Sequence, residues 1–370
     1  MNKYIFQVSG NIYGLKQAGK IWNSVFSNTL LQTGFQQSHI DPCLFFNREK
    51  DLYLLIHVDD GLLIGTNDHM KEFITNLRQH FDIKLEDSSD FLGLEILQHR
   101  DSIEISQSRY INRKIKLFGM DNSKSISTPF PYHLTLQSFE NDTLDDDAAT
   151  LYRSMLGSLS FLRFSRPDVL FALNELSRVA SKPTHQALKM IKRVFKYLIG
   201  TKDYKLIFKS SPIQQLTCYF DASFAPGKSA HSIGGYVIFF GTNPIGFSSY
   251  TEKHTSDSSA QAEAYAMHHA LKEILFIQNV LMEMNYSLPK MVMYTDSKAL
   301  YDFTFKTGSG KRSRHWDITL HFMKQYVSAL DHTLINLKLI DTLDNIADIF
   351  TKALGDSLFF KFCKHFTFKF

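Results

Sequence analysis

Residues 215–251 read QLTCYFDASFAPGKSAHSIGGYVIFFGTNPIGFSSYT. The runs QLTCYF, IGGYVIFF and PIGFSSY within them are short, apolar and rich in strand-forming residues, which predicts three strands. Beyond them the spacing predicts a helix from about Ser258 to Met284, a strand at MVMYT, helices over Ser297–Phe305 and Arg314–Leu330, a strand at LINLKLI and a last short helix. Strands, helix, strand, helices, strand and helix in that order describe a mixed five-stranded sheet with helices on its faces, an α/β domain of ordinary size.

Four acidic residues sit where this order brings segments together. Asp221 follows LTCYF, Asp296 follows MVMYT, Glu263 opens an alanine-rich helical stretch, and Asp348 lies in the last short helix. Two strand ends and two helices can converge on one point. Carboxylates clustered without a cation repel one another and raise at least one pKa, so Mg²⁺ or Mn²⁺ is the expected cofactor. Taken singly, each has an ordinary reading: Asp221 and Asp296 as strand-end or capping residues, Glu263 as a solvated helix residue, Asp348 as a partner of Lys352 at i, i+4. Only the set of four points to a metal site.

Upstream, residues 14–35 place Leu15, Ile21, Trp22, Val25, Phe26, Leu30 and Leu31 on one helical face, with Gly34 as the stop. DLYLLIHV and GLLIGT then form a hairpin with Asp59, Asp60 and Gly61 at its turn, followed by a helix over Asn67–Phe81. Asp-Asp-Gly is common turn chemistry, but two carboxylates at a hairpin tip also suit Mg²⁺ held against phosphate oxygens. FLGLEIL and SIEIS read as strands, and a helical block starts near Asp145, punctuated by Pro167 and Pro183. A boundary is expected at Ser210-Ser211-Pro212, and residues 212–370 are expected to fold by themselves.

The 370 residues carry 41 Lys and Arg against 37 Asp and Glu, a balance too even to argue for a polyanionic partner by itself. Local distribution is more informative. Between Arg178 and Lys209 nine basic residues face a single acid, Asp203, while Leu188, Ile191, Phe195 and Leu198 form an apolar stripe. That is an amphipathic helix whose basic face, with Lys189, Lys192, Arg193 and Lys196, suits nucleic acid or merely solvent. Three separated cysteines indicate neither a disulfide framework nor a zinc site. The absence of a signal-like start or a membrane-length apolar run leads to the expectation of an intracellular, non-membrane protein.

YGLKQAGKIWN, DPCLF, HVDDGLLIGT, FLGLEI, SQSRYI, STP, YRSMLGSLSFL, RPDVLFALNELSR, YLIGT, SSAQAEAYA, TDSKAL and NIADIFTKAL resemble, in this order, the polyprotein of copia-type LTR retrotransposons, from the middle of the reverse transcriptase through the RNase H domain. The resemblance covers residues 13–355 and implies a partial palm over 1–120, a helical and basic thumb or connection over 121–211, and an RNase H domain over 212–370. It implies α+β architecture for the palm and an α/β RNase H fold. Asp59 and Asp60 match the polymerase motif, although His57 stands where the family has Tyr or Phe. The family's third polymerase carboxylate and its fingers lie upstream of the YGLKQ motif, so DNA polymerisation by this chain alone is not expected.

The resemblance further implies an RNase H that cleaves the RNA strand of RNA/DNA hybrids with two Mg²⁺ or Mn²⁺ ions. Asp221 would bridge both ions, Asp348 support the one that activates water, and Glu263 and Asp296 the one at the leaving 3′ oxygen. His315 matches an Arg-x-x-His motif of the family and with Arg312 and Arg314 suits phosphate, or else packs beside Trp316 for structural reasons, and Ser223, Ser258, Ser259 and Gln261 flank the acids as candidates for contact with the hybrid. No His precedes Asp348, where many RNase H enzymes carry one. The implied setting is cytoplasmic or nuclear, or a virus-like particle. Two alternatives stand beside this reading: an inert or domesticated relic that only binds nucleic acid, and a fragment that works with a fingers-containing Pol chain.

Overall fold

The computed structural model describes residues 14–86, 89–134, 136, 142–225, 231–305, 317–327 and 334–366. The chain forms two compact units, Met1–Leu92 with Asn279–Tyr286, and Gly93–Gln278 with Ser287–Phe370.

In the first unit α1 (Ala18–Gln32) precedes strands β1 (Gln36–Gln37), β2 (Leu44–Asn47), β3 (Leu52–His57) and β4 (Asp60–Ile64), then α2 (Asn67–Leu77) and β5 (Asp90–Phe91). β1 to β4 pair antiparallel in chain order. Leu30, Phe35, Phe45, Leu52, Leu54, Phe73 and Leu77 form the core between sheet and helices. The hairpin turn differs from the expected Asp59-Asp60-Gly61. Asp60 pairs with His57 and Gly61 with Ile56, so the turn residues are Val58 and Asp59. This register lets the apolar runs pair in full, and it forces Val58 to φ +59°, a left-handed conformation unfavourable for a β-branched residue.

The second unit opens with an antiparallel sheet of β6 (Leu94–Gln98), β7 (Ser102–Ser106) and β8 (Leu206–Lys209). β8 was not expected from sequence; it is four residues long and pairs across a hundred positions. Between β7 and β8 lie α3 (Ser108–Leu117), α4 (Asp146–Ser160), α5 (Leu170–Arg178) and α6 (His185–Thr201). Side chains cap two of them: Asp145 accepts from Ala148 N at 2.8 Å and Thr184 from Ala187 N at 3.1 Å. A buried Arg166 donates twice to Asp168 and once to the Thr201 carbonyl, at 2.7–2.9 Å, tying the start of α5 to the end of α6.

The five-stranded sheet has the order β11 (Asn243–Thr251), β10 (Ile233–Phe240), β9 (Leu216–Ser223), β12 (Met291–Thr295), β13 (Ile335–Leu339). β9, β10 and β11 are antiparallel, whereas β9, β12 and β13 are parallel. The long helix α7 (Ser259–Glu283) connects β11 to β12, with α8 (Lys298–Phe305) and α9 (Asp317–Tyr326) before β13, and α10 (Asp348–Thr351) and α11 (Asp356–Cys363) after it. The mixed helix-and-sheet architecture agrees with the fold class expected from sequence.

A shared core joins the helices of the second unit to one face of its five-stranded sheet. Tyr152, Val169, Leu173, Ile191 and Phe195 from α4 to α6 pack in the same cluster as Ile233 and Val237 of β10, Phe350 of α10 and Phe362 of α11. The element carrying Asp348 is thus wedged between the sheet and the helices that precede residue 212. A fragment of residues 212–370 would expose this apolar surface, so it is expected to melt well below a fragment of residues 93–370, or to aggregate. Equal melting temperatures by circular dichroism would show that the shared core contributes nothing to the C-terminal half.

Candidate metal centre

Alternation along β9 places Thr217, Tyr219, Asp221 and Ser223 on one face and Leu216, Cys218, Phe220 and Ala222 on the other. The parallel register sets Tyr294 of β12 opposite Tyr219, and their rings stack at 4.8 Å. Two residues further along each chain stand Asp221 and Asp296, and the same alternation turns both carboxylates to the same side. Asp348 comes from α10 across Gly235 of β10, the residue paired with Asp221. A Cβ at Gly235 would lie 2.5 Å from Phe350 Cβ, so only glycine allows this approach. Oxygens of Asp221, Asp296 and Asp348 all fall within 4.8 Å of one another, and Asp221 and Asp348 are buried.

Glu263 is buried at the start of α7 and accepts a hydrogen bond from the Ala222 backbone, while its Oε2 has no hydrogen-bond partner. Burial, then Asp221 and Asp296, hold its pKa well above the usual carboxylate range. Burial and Asp221 push Asp348 up to about 7, against the pull of Lys352. Lys352 Nζ lies 2.8 Å from Asp348 Oδ1 and 3.3 Å from Asp221. Burial disfavours this ammonium, but Asp221 and Asp348 outweigh that and raise its pKa. Three converging oxygens, an orphaned buried Oε2 and a cation already drawn in fit a divalent ion with oxygen ligands.

Residues 1–131 match the family described as reverse transcriptase (RNA-dependent DNA polymerase). The putative transposon Ty5-1 protein of Saccharomyces cerevisiae is 32% identical over 255 residues, 66% of this chain and 82% of that protein. The retrovirus-related Pol polyprotein from transposon RE1 of Arabidopsis thaliana is 32% identical over 365 residues, 97% of this chain. The chain belongs to the copia-type retrotransposon Pol family. It spans only about a quarter (25%) of the RE1 polyprotein. The foamy viral protease-reverse transcriptase, solved in complex with an RNA/DNA hybrid, matches 93% of this chain and 40% of its own at 12% identity and a TM-score of 0.53, a likeness of fold.

Of the Pol residues singled out by sequence, Asp221, Asp296 and Asp348 come together, with Glu263 beside them. Ser223 lines a cavity of about 920 Å³ next to Asp348, and Ser259 is exposed at the start of α7. Lys189, Lys192 and Lys196 are exposed on α6, whereas Arg193 is half-buried and donates to Thr128 at 3.1 Å. Arg312, Arg314 and His315 lie outside the described residues. Asp59 and Asp60 are exposed, and among the described residues no third ligand joins them. Trp22 Nε1 donates to the Val58 carbonyl at 3.2 Å, bracing this strained turn.

Two positioning residues escaped the sequence reading. Asn345, fully buried, donates from Nδ2 to the Phe220 carbonyl at 3.1 Å and to Asp296 at 3.2 Å, and accepts from Ala347 N. Thr351 donates from Oγ1 to Asp221. Their signal is local: both flank Asp348 within NIADIFT.

Asn345→Ala leaves a buried carbonyl unpaired and frees Asp296, so it is expected to cost about 1–3 kcal/mol in chemical denaturation and about 10–100-fold in metal affinity. An unchanged metal affinity would remove Asn345 from the site. The raised pKa of Asp348 makes a second prediction. Its folded pKa is raised, so its contribution to stability in chelator is complete below about pH 4, the unfolded value, and lost as pH rises towards 7. The stability of the wild type relative to Asp348→Asn should therefore decline across that window, and added Mg²⁺ should restore it at neutral pH. A difference independent of pH in denaturant titrations would mean that Asp348 is not perturbed.

Proposed function

We propose that this Pol segment cleaves the RNA strand of RNA/DNA hybrids. The observation that carries the reading is the convergence of Asp221, Asp296 and Asp348 within 4.8 Å, along the edge formed by the carboxyl ends of the central strands β9 and β12, with buried Glu263 against them. No apolar or hydrogen-bonding role accounts for so many carboxylates in a buried place. Asp221, Glu263, Asp296 and Asp348 would hold two Mg²⁺ or Mn²⁺ ions, which when bound lower the pKa of water and stabilise the leaving oxygen of an in-line displacement. The protein's own part is to fix these oxygens: β9 and β12 by register, Asn345 and Thr351 by hydrogen bonds. Attack of water on phosphorus with loss of the P–O3′ bond gives a 3′-OH and a 5′-phosphate.

The hybrid would reach this edge along surfaces carrying Lys189, Lys192 and Lys196, with Ser223 and Ser259 near the acids, and Arg312, Arg314 and His315 as further phosphate contacts. We read residues 1–120 as palm, 121–211 as thumb or connection and 212–370 as the RNase H part. Among the described residues no helix is long and apolar enough to cross a membrane.

The test is incubation of the purified chain with a labelled hybrid and Mg²⁺ or Mn²⁺, beside a DNA duplex and the variants Asp221→Asn and Asp296→Asn. Cleavage confined to the RNA strand, falling at least about 100-fold in either variant, is expected. Binding of hybrid without cleavage would instead identify an inert nucleic-acid-binding relic.

A further inference from the structure

We propose that Lys352 is a built-in counter-cation that holds the metal-free centre together and that a divalent ion must displace before it binds. The inference rests on the metal-site reading above and extends it to how the site is loaded.

The geometry is specific. Lys352 Nζ sits between two of the three converging carboxylates, 2.8 Å from Asp348 Oδ1 and 3.3 Å from both Asp221 oxygens. Asp348 and Asp221 are 3% and 1% exposed, so water cannot screen their mutual repulsion. Asp296 brings a third carboxylate to the same spot. Without a metal the ammonium is the cation that meets this need.

An ion bound at about 2.0–2.1 Å from carboxylate oxygens would claim the oxygens that Lys352 now contacts. Two cations cannot share so small a space, so loading is an exchange. The structure gives the side chain a way out. Lys352 follows the last turn of α10 with extended backbone, φ −137° and ψ 148°, so its movement does not unwind the helix. It also lines the cavity of about 920 Å³ beside Asp348 and Thr351, and 36% of its side chain is already exposed. A lysine whose only role was to staple α10 to β9 would not need that space.

The two accounts separate in a metal titration of the full chain, without nucleic acid. Mn²⁺ binding would be followed by electron paramagnetic resonance, and melting by circular dichroism in chelator and in saturating Mg²⁺, for the wild type, Lys352→Gln and Lys352→Arg. Exchange predicts that Lys352→Gln binds Mn²⁺ about tenfold more tightly or better, melts lower in chelator, and recovers most of the loss with Mg²⁺. Lys352→Arg, which keeps the charge, should bind close to the wild type. If Lys352→Gln unfolds in chelator, refolding on addition of Mg²⁺ supports the proposal, and failure to refold counts against it. Unchanged or weaker Mn²⁺ binding by Lys352→Gln would overturn the exchange while leaving the metal site standing. Absence of binding by all three proteins would overturn the metal-site reading and this inference with it.

Discussion

Like charges held out of water set the terms for the second unit of this protein. Asp221, Asp348 and Glu263 are all buried, and Asp296 adds a fourth carboxylate at the same sheet edge. Such an arrangement survives only where the backbone leaves the groups no alternative and a cation relieves them. The parallel pairing of β9 with β12, marked by the Tyr219–Tyr294 stack, sets two of the acids. Gly235 sets a third by letting α10 approach β10 more closely than any side chain would allow. Asn345, Thr351 and Lys352 then hold oxygens of Asp296, Asp221 and Asp348.

The helices before residue 212 share in that constraint. Their apolar faces complete the core in which Phe350 and Phe362 are buried, and so they press the Asp348 segment onto the sheet. The buried Arg166–Asp168 pair, with Tyr197 donating to Asp168 at 2.6 Å, keeps α5 and α6 in fixed relation. These helices are thus structural support for the acidic site. It also explains why a short strand such as β8 exists: it closes the sheet begun by β6 and β7 at the point where the chain turns towards β9.

Strain has a different place in the first unit. Val58 is 70% exposed and adopts a left-handed backbone. Its cost, about 1–3 kcal/mol, is tolerated because full pairing of β3 with β4 requires a two-residue turn there and Trp22 holds its carbonyl. The result presents Asp59 and Asp60 at an exposed tip.

Much of this was legible in the residues themselves. The five strands and the long helix of the C-terminal half follow from local apolar periodicity, and the four acids were recognisable as a set, although Asp221 proves to lie within β9 and not after it. The amphipathic α6 was equally plain, since Ile191, Phe195 and Leu198 are buried and Lys189, Lys192 and Lys196 are not. What escaped depends on partners far away in the chain. The two-residue turn at Val58-Asp59 was set by cross-strand register against the local preference for Asp-Gly. β8 is too short to show a period, Arg193 turns inward only because Thr128 meets it, and Asn345 gains its role from a carbonyl of β9. Sequence by itself determined which elements form and which carboxylates are available. Only the tertiary structure decided that these carboxylates share one buried point with Lys352 between them, because burial and register are properties of packed strands and helices and not of any single segment.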